Sequence, residues 1–275
     1  MAIQRIFRGT VTLGAASAGD SFFIGEGYQA VTGNNDYSGV NTSVTGEVAR
    51  GFIGQLFTAA NPWKTAFSTR LIYAASAGDL YHASDSADTE TTALVQVIGG
   101  GHYHAIAGSG TSVLTRLEGA SGRVSVANGV TVTTARFAGG CDARLEDTGT
   151  GVAITTLDVW GGVVYCQRPV TTVNLNGGTL VLDADSAGGV NAITTLNVNG
   201  GLLVWRDSGT ITTLNYNGGK IDVSALSGST TGLTTVTDSN VNMLLPDAQQ
   251  FLDLSAVLIT FTNTPQRRMT DGRPI

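Results

Sequence analysis

The sequence predicts an all-β fold, a parallel β-helix (solenoid) of roughly seven short rungs, with a separate β-rich N-terminal region. Three observations predict it. The 275 residues include 37 glycines, five prolines and only 13% charged residues, a composition of strands and turns rather than helices. An aliphatic-Thr-Thr-aliphatic motif recurs six times, and five consecutive copies run into Gly-Gly.

The motif starts at Val132, Ile154, Val170, Ile193, Ile211 and Leu233, with spacings of 22, 16, 23, 18 and 22 residues. Four positions on, the copies carry Arg136, Asp158, Asn174, Asn197, Asn215 and Thr237, all polar. One further on stand Phe137, Val159, Leu175, Val198 and Tyr216, with Asp238 breaking the series in the last copy. Apolar and polar residues in this alternation make a half-buried strand. The glycine pairs from Gly139-Gly140 to Gly218-Gly219 place a corner in each copy, because glycine admits positive φ and close backbone approach. Second apolar strands such as "TLVLD" and "LLVW" follow.

A unit of this size cannot bury its own apolar face, so copies must stack. Stacking sets equivalent residues roughly 4.8 Å apart and turns Asn174, Asn197 and Asn215 into a ladder of side-chain amides. Long coils alternate with short ones, and the extra residues fall in "EDTGTG", "DSAGGVN" and "ALSGSTTG", a polar loop on every second rung. A propeller is excluded, because paired coils supply two and a half blades where closure needs at least about four. Fainter coils extend upstream through "SVLTRLEGASGRVSV" and "TALVQVIGGGHYHAI".

Residues 1–92 read as an N-terminal region for attachment or oligomerisation, 93–245 as the β-helix, and 246–275 as a cap with a basic tail. In the first region "AASAGD" occurs at Ala15–Asp20 and Ala74–Asp79, suggesting two related strand-turn-strand pieces rather than rungs. Between them, "EVARGFIGQLFTAANPWK" suggests a short helix ended before Pro62. Cys141 and Cys166 are too few for a disulfide framework and read as reduced, partly buried thiols. The start lacks the apolar core of a signal peptide, and no apolar run is long enough to span a bilayer, so neither export nor membrane insertion is expected.

The net charge of −6 disfavours a nucleic-acid partner. Its distribution is uneven: Arg5, Arg8, Arg267, Arg268 and Arg273, against the single acid Asp271, leave the two ends at +4 and the body at about −10. These five arginines are the candidate partner-binding residues. His102 and His104 have strand spacing and share a face, and in a three-fold assembly such pairs could supply six imidazoles to a metal. Two histidines beside a tyrosine make no ligand set alone, so no metal or cofactor is assigned. Carboxylate pairs for glycoside hydrolysis could form from Asp183 with Asp185, or Glu146 with Asp207 on non-adjacent coils, but no basic cluster accompanies them. With no Walker loop, nucleophile elbow, calcium repeat or zinc spacing, a catalytic role is not expected.

Copies of "ITTLNVNGG" separated by Gly-Gly corners resemble the β-helical virion proteins of tailed bacteriophages, over roughly residues 95–245. That resemblance implies a particle component that works by oligomerising, commonly as a homotrimer, on the major capsid protein or another virion protein. It implies synthesis in the host cytoplasm and a place on the capsid surface. Within that class, an acidic body with arginine-tipped ends suits a capsid decoration or cement protein. Arginine outnumbers lysine thirteen to two, which suits forked contacts with a partner. A tail fibre or spike that binds a host receptor is the alternative, and a β-helical polysaccharide-degrading enzyme is the second.

Overall fold

The computed structural model describes residues 90–107, 112–147, 153–184, 192–206 and 209–222, together with isolated strands between residues 3 and 83 and at 235–238 and 258–261. All described strand pairs are parallel, and no helix occurs among the described residues. Near the start, β1 (Ile3–Ile6), β2 (Gly9–Leu13), β3 (Ser21–Ile24) and β4 (Tyr28–Gly33) form two small sheets, β1 with β3 and β2 with β4. Next come β5 (Thr45–Gly46), β6 (Gln55–Phe57), β7 (Trp63–Lys64), β8 (Thr69–Tyr73) and β9 (Asp79–Ala83).

From β10 (Glu90–Val97) and β11 (His102–Ile106), the chain alternates between two long sheets. Six turns follow, each with a strand in either sheet. These are β12 (Ser112–Gly119) with β13 (Arg123–Val126), β14 (Val130–Phe137) with β15 (Asp142–Leu145), and β16 (Ile154–Val159) with β17 (Val163–Cys166). Above them lie β18 (Val170–Leu175) with β19 (Thr179–Leu182), β20 (Ile193–Val198) with β21 (Leu202–Trp205), and β22 (Ile211–Tyr216) with β23 (Lys220–Asp222). From β8 to β23 the even-numbered strands build the first sheet and the odd-numbered ones the second. The first sheet ends on β24 (Thr235–Asp238) and β25 (Leu258–Phe261). The protein is therefore a two-sheet parallel β-solenoid.

Register follows the motif: Ile154 pairs with Val170, Val170 with Ile193, and Ile193 with Ile211. The apolar positions of these strands point inward and form columns, such as Leu157, Val173, Leu196 and Leu214, all 0% exposed. Each such side chain contributes about 1.5–3 kcal/mol by leaving water. The two threonines are where the strand departs from simple alternation. In β16, β18, β20 and β22 the first motif residue is buried, the next two face outward, and the fourth is buried again. A regular pleat cannot turn two successive residues to one side, so each strand bends at Thr-Thr. The neighbouring rung bends at the same height.

The glycine corner is enforced by the stack itself. Gly162 has φ of 72°, and a Cβ there would lie 2.0 Å from the carbonyl oxygen of Cys141 on the rung below. Backbone bonds close each corner onto its neighbour, as in Thr179 N–H to Gly162 O and Leu202 N–H to Gly178 O, both 2.9 Å.

Two expectations are corrected. Within the segment suggested as a short helix before Pro62, the described residues Gln55–Phe57 form a strand pairing with β9, because pairing to a sheet edge outweighs weak local helical propensity; the rest of that segment lies outside the described residues. The second "AASAGD" lies between β8 and β9, which pair with β10 and β11, so this piece is a solenoid rung. Both sheets thus continue upstream of residue 93. The alternating polar loops fall largely outside the described residues, as does most of the chain after Asp222.

Candidate functional site

The outer face of the second sheet carries the chemistry. Its strands turn alternate residues out, and the parallel register sets Asp79, His102, Arg123 and Asp142 in one column. Tyr81, His104, Ser125 and Arg144 form the next. Above them the first column continues through Val163, Thr179, Leu202 and Lys220 and the second through Tyr165, Val181, Val204 and Asp222, so both turn mixed in polarity; the Tyr165 ring lies 5.3 Å from the Arg144 guanidinium.

At the lower end three side chains converge. Asp79 Oδ1 lies 2.9 Å from His104 Nε2 and 3.6 Å from His102 Nδ1. The two imidazole centroids are 3.6 Å apart, Tyr81 stacks flat on His104 at 4.2 Å, and His102 Nε2 lies 2.7 Å from Ser125 Oγ. Burial, and then the neighbouring His104, push the His102 pKa down to about 4; Asp79 opposes this, Arg123 adds to it and Asp142 opposes it. His102 is therefore neutral at pH 7, with a lone pair available.

Beside it, His102, Arg123, Ser125, Asp142, Arg144 and Glu146 line a groove of about 330 Å³. Asp142 Oδ1 is buried there without a hydrogen-bond partner. A second groove of about 250 Å³ is lined by Arg144, Glu146, Tyr165, Gln167 and Asp183. Glu146 and Asp183 share a groove, and the partners expected for them, Asp207 and Asp185, lie outside the described residues. Glu146, Gln167 and Asp183 each follow a strand of the second sheet on successive rungs.

Polar ladders run up the first sheet. Asn174 donates to Asp158 Oδ1 at 2.7 Å, Asn197 to Asn174 at 2.8 Å and Asn215 to Asn197 at 2.7 Å, as the repeat predicts. A second ladder, Asn176, Asn199 and Asn217, stands just before the glycines. Its signal, an asparagine ahead of Gly-Gly in three consecutive copies, is plain in the sequence.

Three other residues escape sequence reasoning. Arg168 is 1% exposed and donates Nε to the Glu146 carbonyl at 2.7 Å and its other nitrogens to the Val130 and Ala127 carbonyls, tying three turns together. Burial lowers its pKa. His82 is 3% exposed on the inner face of β9, with Nδ1 2.7 Å from Tyr103 Oη. Asp79 belongs to a segment without the motif, and only the rung register brings it to His102.

Cys141 and Cys166 are thiols outside any disulfide and wholly buried, more so than their sequence context suggests, and burial pushes the Cys141 thiol up to about 12. Of the five arginines expected to bind a partner, Arg5 belongs to β1, and Arg8, Arg267, Arg268 and Arg273 lie outside the described residues. Comparison with family models, curated proteins and solved structures gives no match to the chain.

Proposed function

We propose that the chain is a non-enzymatic structural protein of a phage particle, a capsid decoration or cement protein standing on the shell as a stiff column. The observation that carries this reading is the unbroken parallel stack, filled inside by side chains and tied outside by amide ladders. Such a stack transmits load along its axis, because every rung is hydrogen-bonded to the next. The resemblance of "ITTLNVNGG" to phage β-helical rungs supplies the particle, and the arginine-tipped ends supply the arms that grip it. The homotrimer that the resemblance implies would set copies of this column side by side.

One observation favours a second reading. Glu146 and Asp183 in a groove with Tyr165 and Arg144 suit an extended glycan, with carboxylates two rungs, or about 9.6 Å, apart. A spacing near the upper end of the range for inverting hydrolysis makes a polysaccharide-degrading enzyme the competitor.

Copy number in purified particles separates the readings. Hundreds of copies per particle are expected for decoration, and a few to a few dozen would shift the protein to the tail. Absence from particles together with cleavage of an acidic glycan would overturn the proposal. Removing residues 266–275, or changing Arg267 and Arg268 to Glu, is expected to abolish attachment while the soluble fold persists; unchanged occupancy would count against the arms.

A further inference from the structure

We propose that Asp79, His102 and His104 form a binding site for a divalent transition-metal cation of the zinc, cobalt or nickel class. One donor atom from each lies within 4.8 Å of the other two. Two donors, each about 2.1 Å from a tetrahedral ion, stand roughly 3.4 Å apart. The separations from Asp79 Oδ1 to the two imidazoles, 2.9 and 3.6 Å, bracket that value, so the carboxylate already stands at ligand spacing from both histidines.

The donor set selects the class of cation. Two imidazoles and one carboxylate suit borderline metals, whereas calcium and magnesium call for oxygen donors. The surroundings orient the ligands. In the tautomer that carries its proton on Nε2, His102 donates to Ser125 Oγ at 2.7 Å and turns the lone pair of Nδ1 toward Asp79, and Tyr81 fixes the plane of His104 by stacking. His102 and His104 are two residues apart on β11, so the pleat turns both to one side, and Asp79 is the register partner of His102 on β9. All three ligands come from strands rather than loops, which limits their freedom.

Bound there, the ion would join two rungs whose ligands are 23 and 25 residues apart in the chain, stapling β9 to the stack. Three protein ligands on an outward face leave a coordination position toward solvent, open to water or to a donor from a neighbouring molecule. The site stands whether or not the chain belongs to a virion.

Cobalt(II) is the probe, because its visible absorption reports tetrahedral imidazole ligation directly. The tag-free full chain is titrated with cobalt, and zinc competition is then read by loss of that absorption. One equivalent of cobalt per chain, displaced by zinc, with a thermal midpoint raised by the metal, is the expected result. Asp79→Asn, His102→Gln and His104→Gln should each weaken binding more than tenfold, and Ser125→Ala about tenfold, with circular dichroism unchanged. Asp142→Asn removes an equal charge close by and should leave affinity within about twofold if ligation rather than general attraction holds the ion. Absence of a cobalt spectrum, affinity indifferent to the three ligand substitutions, or an Asp142→Asn loss equal to that of Asp79→Asn would each overturn the proposal.

Discussion

At the scale of single residues, the stack tolerates some glycines for convenience and demands others. Gly201 has φ of 75°, and an added Cβ would meet the Gly178 oxygen at 2.5 Å. Neither the strain nor the clash can relax, because the obstructing atom is backbone. Gly140, in the equivalent pair of a lower turn, has nothing within 4 Å of its notional Cβ. Gly201→Ala should cost at least about 2 kcal/mol in urea unfolding, whereas Gly140→Ala should stay within about 0.5 kcal/mol. Equal costs would mean that the corners do not pack rung on rung.

His82 sets an acid limit at the same scale. Burial pushes its pKa down from 6.5 to about 4, so between those values the unfolded chain binds the proton and the folded one does not. Stability is then complete above pH 6.5, falls as the pH drops through the window, and levels out near pH 4, by a total on the order of 3 kcal/mol. His102, lowered to about 4 on the outer face, adds to the loss in that window. His82→Gln, which keeps a polar partner for Tyr103 but does not titrate, should flatten much of this slope in denaturant melts at pH 7, 5.5 and 4. An unaltered slope would remove His82 as its source.

At the scale of the element, the strand and its ladder form a unit. Asn197 donates to Asn174 and accepts from Asn215, so Asn197→Ala deletes two amide bonds and strands the other halves of both. A loss of about 1–2 kcal/mol is expected. Asn217, exposed at the top of the outer ladder, donates to Asn199 through a solvated bond, and its alanine variant should lose less than Asn197→Ala does. These strands were legible in the sequence because each carries the motif within six residues, and periodicity is a local signal. The bend at Thr-Thr was less so, since composition gives the polarity of two threonines but not the face they turn to. The strand Gln55–Phe57 was misjudged for a related reason: its conformation comes from β9, with Leu80 as the register partner of Phe57.

At the scale of the whole molecule, the candidate site shows where sequence reasoning stops. His102 and His104 could be placed on one face from their spacing alone. Asp79 could not, because it stands in "AASAGD", outside the motif, and joins them only once the rung below is known to pair in register. Glu146 with Asp183 follows the same rule: each closes a strand of the second sheet, and the stacking of rungs brings both to one groove. Arg168 lay hidden for a third reason, that its partners are three backbone carbonyls on other turns, which no side-chain pattern records. A stack therefore announces its period in the sequence and conceals its cross-rung chemistry. Everything proposed about function depends on that stacking.

The most direct test of the stack is a ruler along its axis. Thr115, Thr155 and Thr212 are exposed and occupy the same outward position on β12, β16 and β22. Spin labels at cysteines introduced there avoid Cys141 and Cys166, which are wholly buried. With about 4.8 Å per rung, Thr115 to Thr212 should measure about 24 Å and Thr115 to Thr155 about 10 Å before label length, each as a narrow distribution. Distances that grow in proportion to the rungs crossed are the predicted result. A Thr115 to Thr212 separation beyond about 40 Å, or one that does not scale with rung number, would contradict the solenoid and everything built on it.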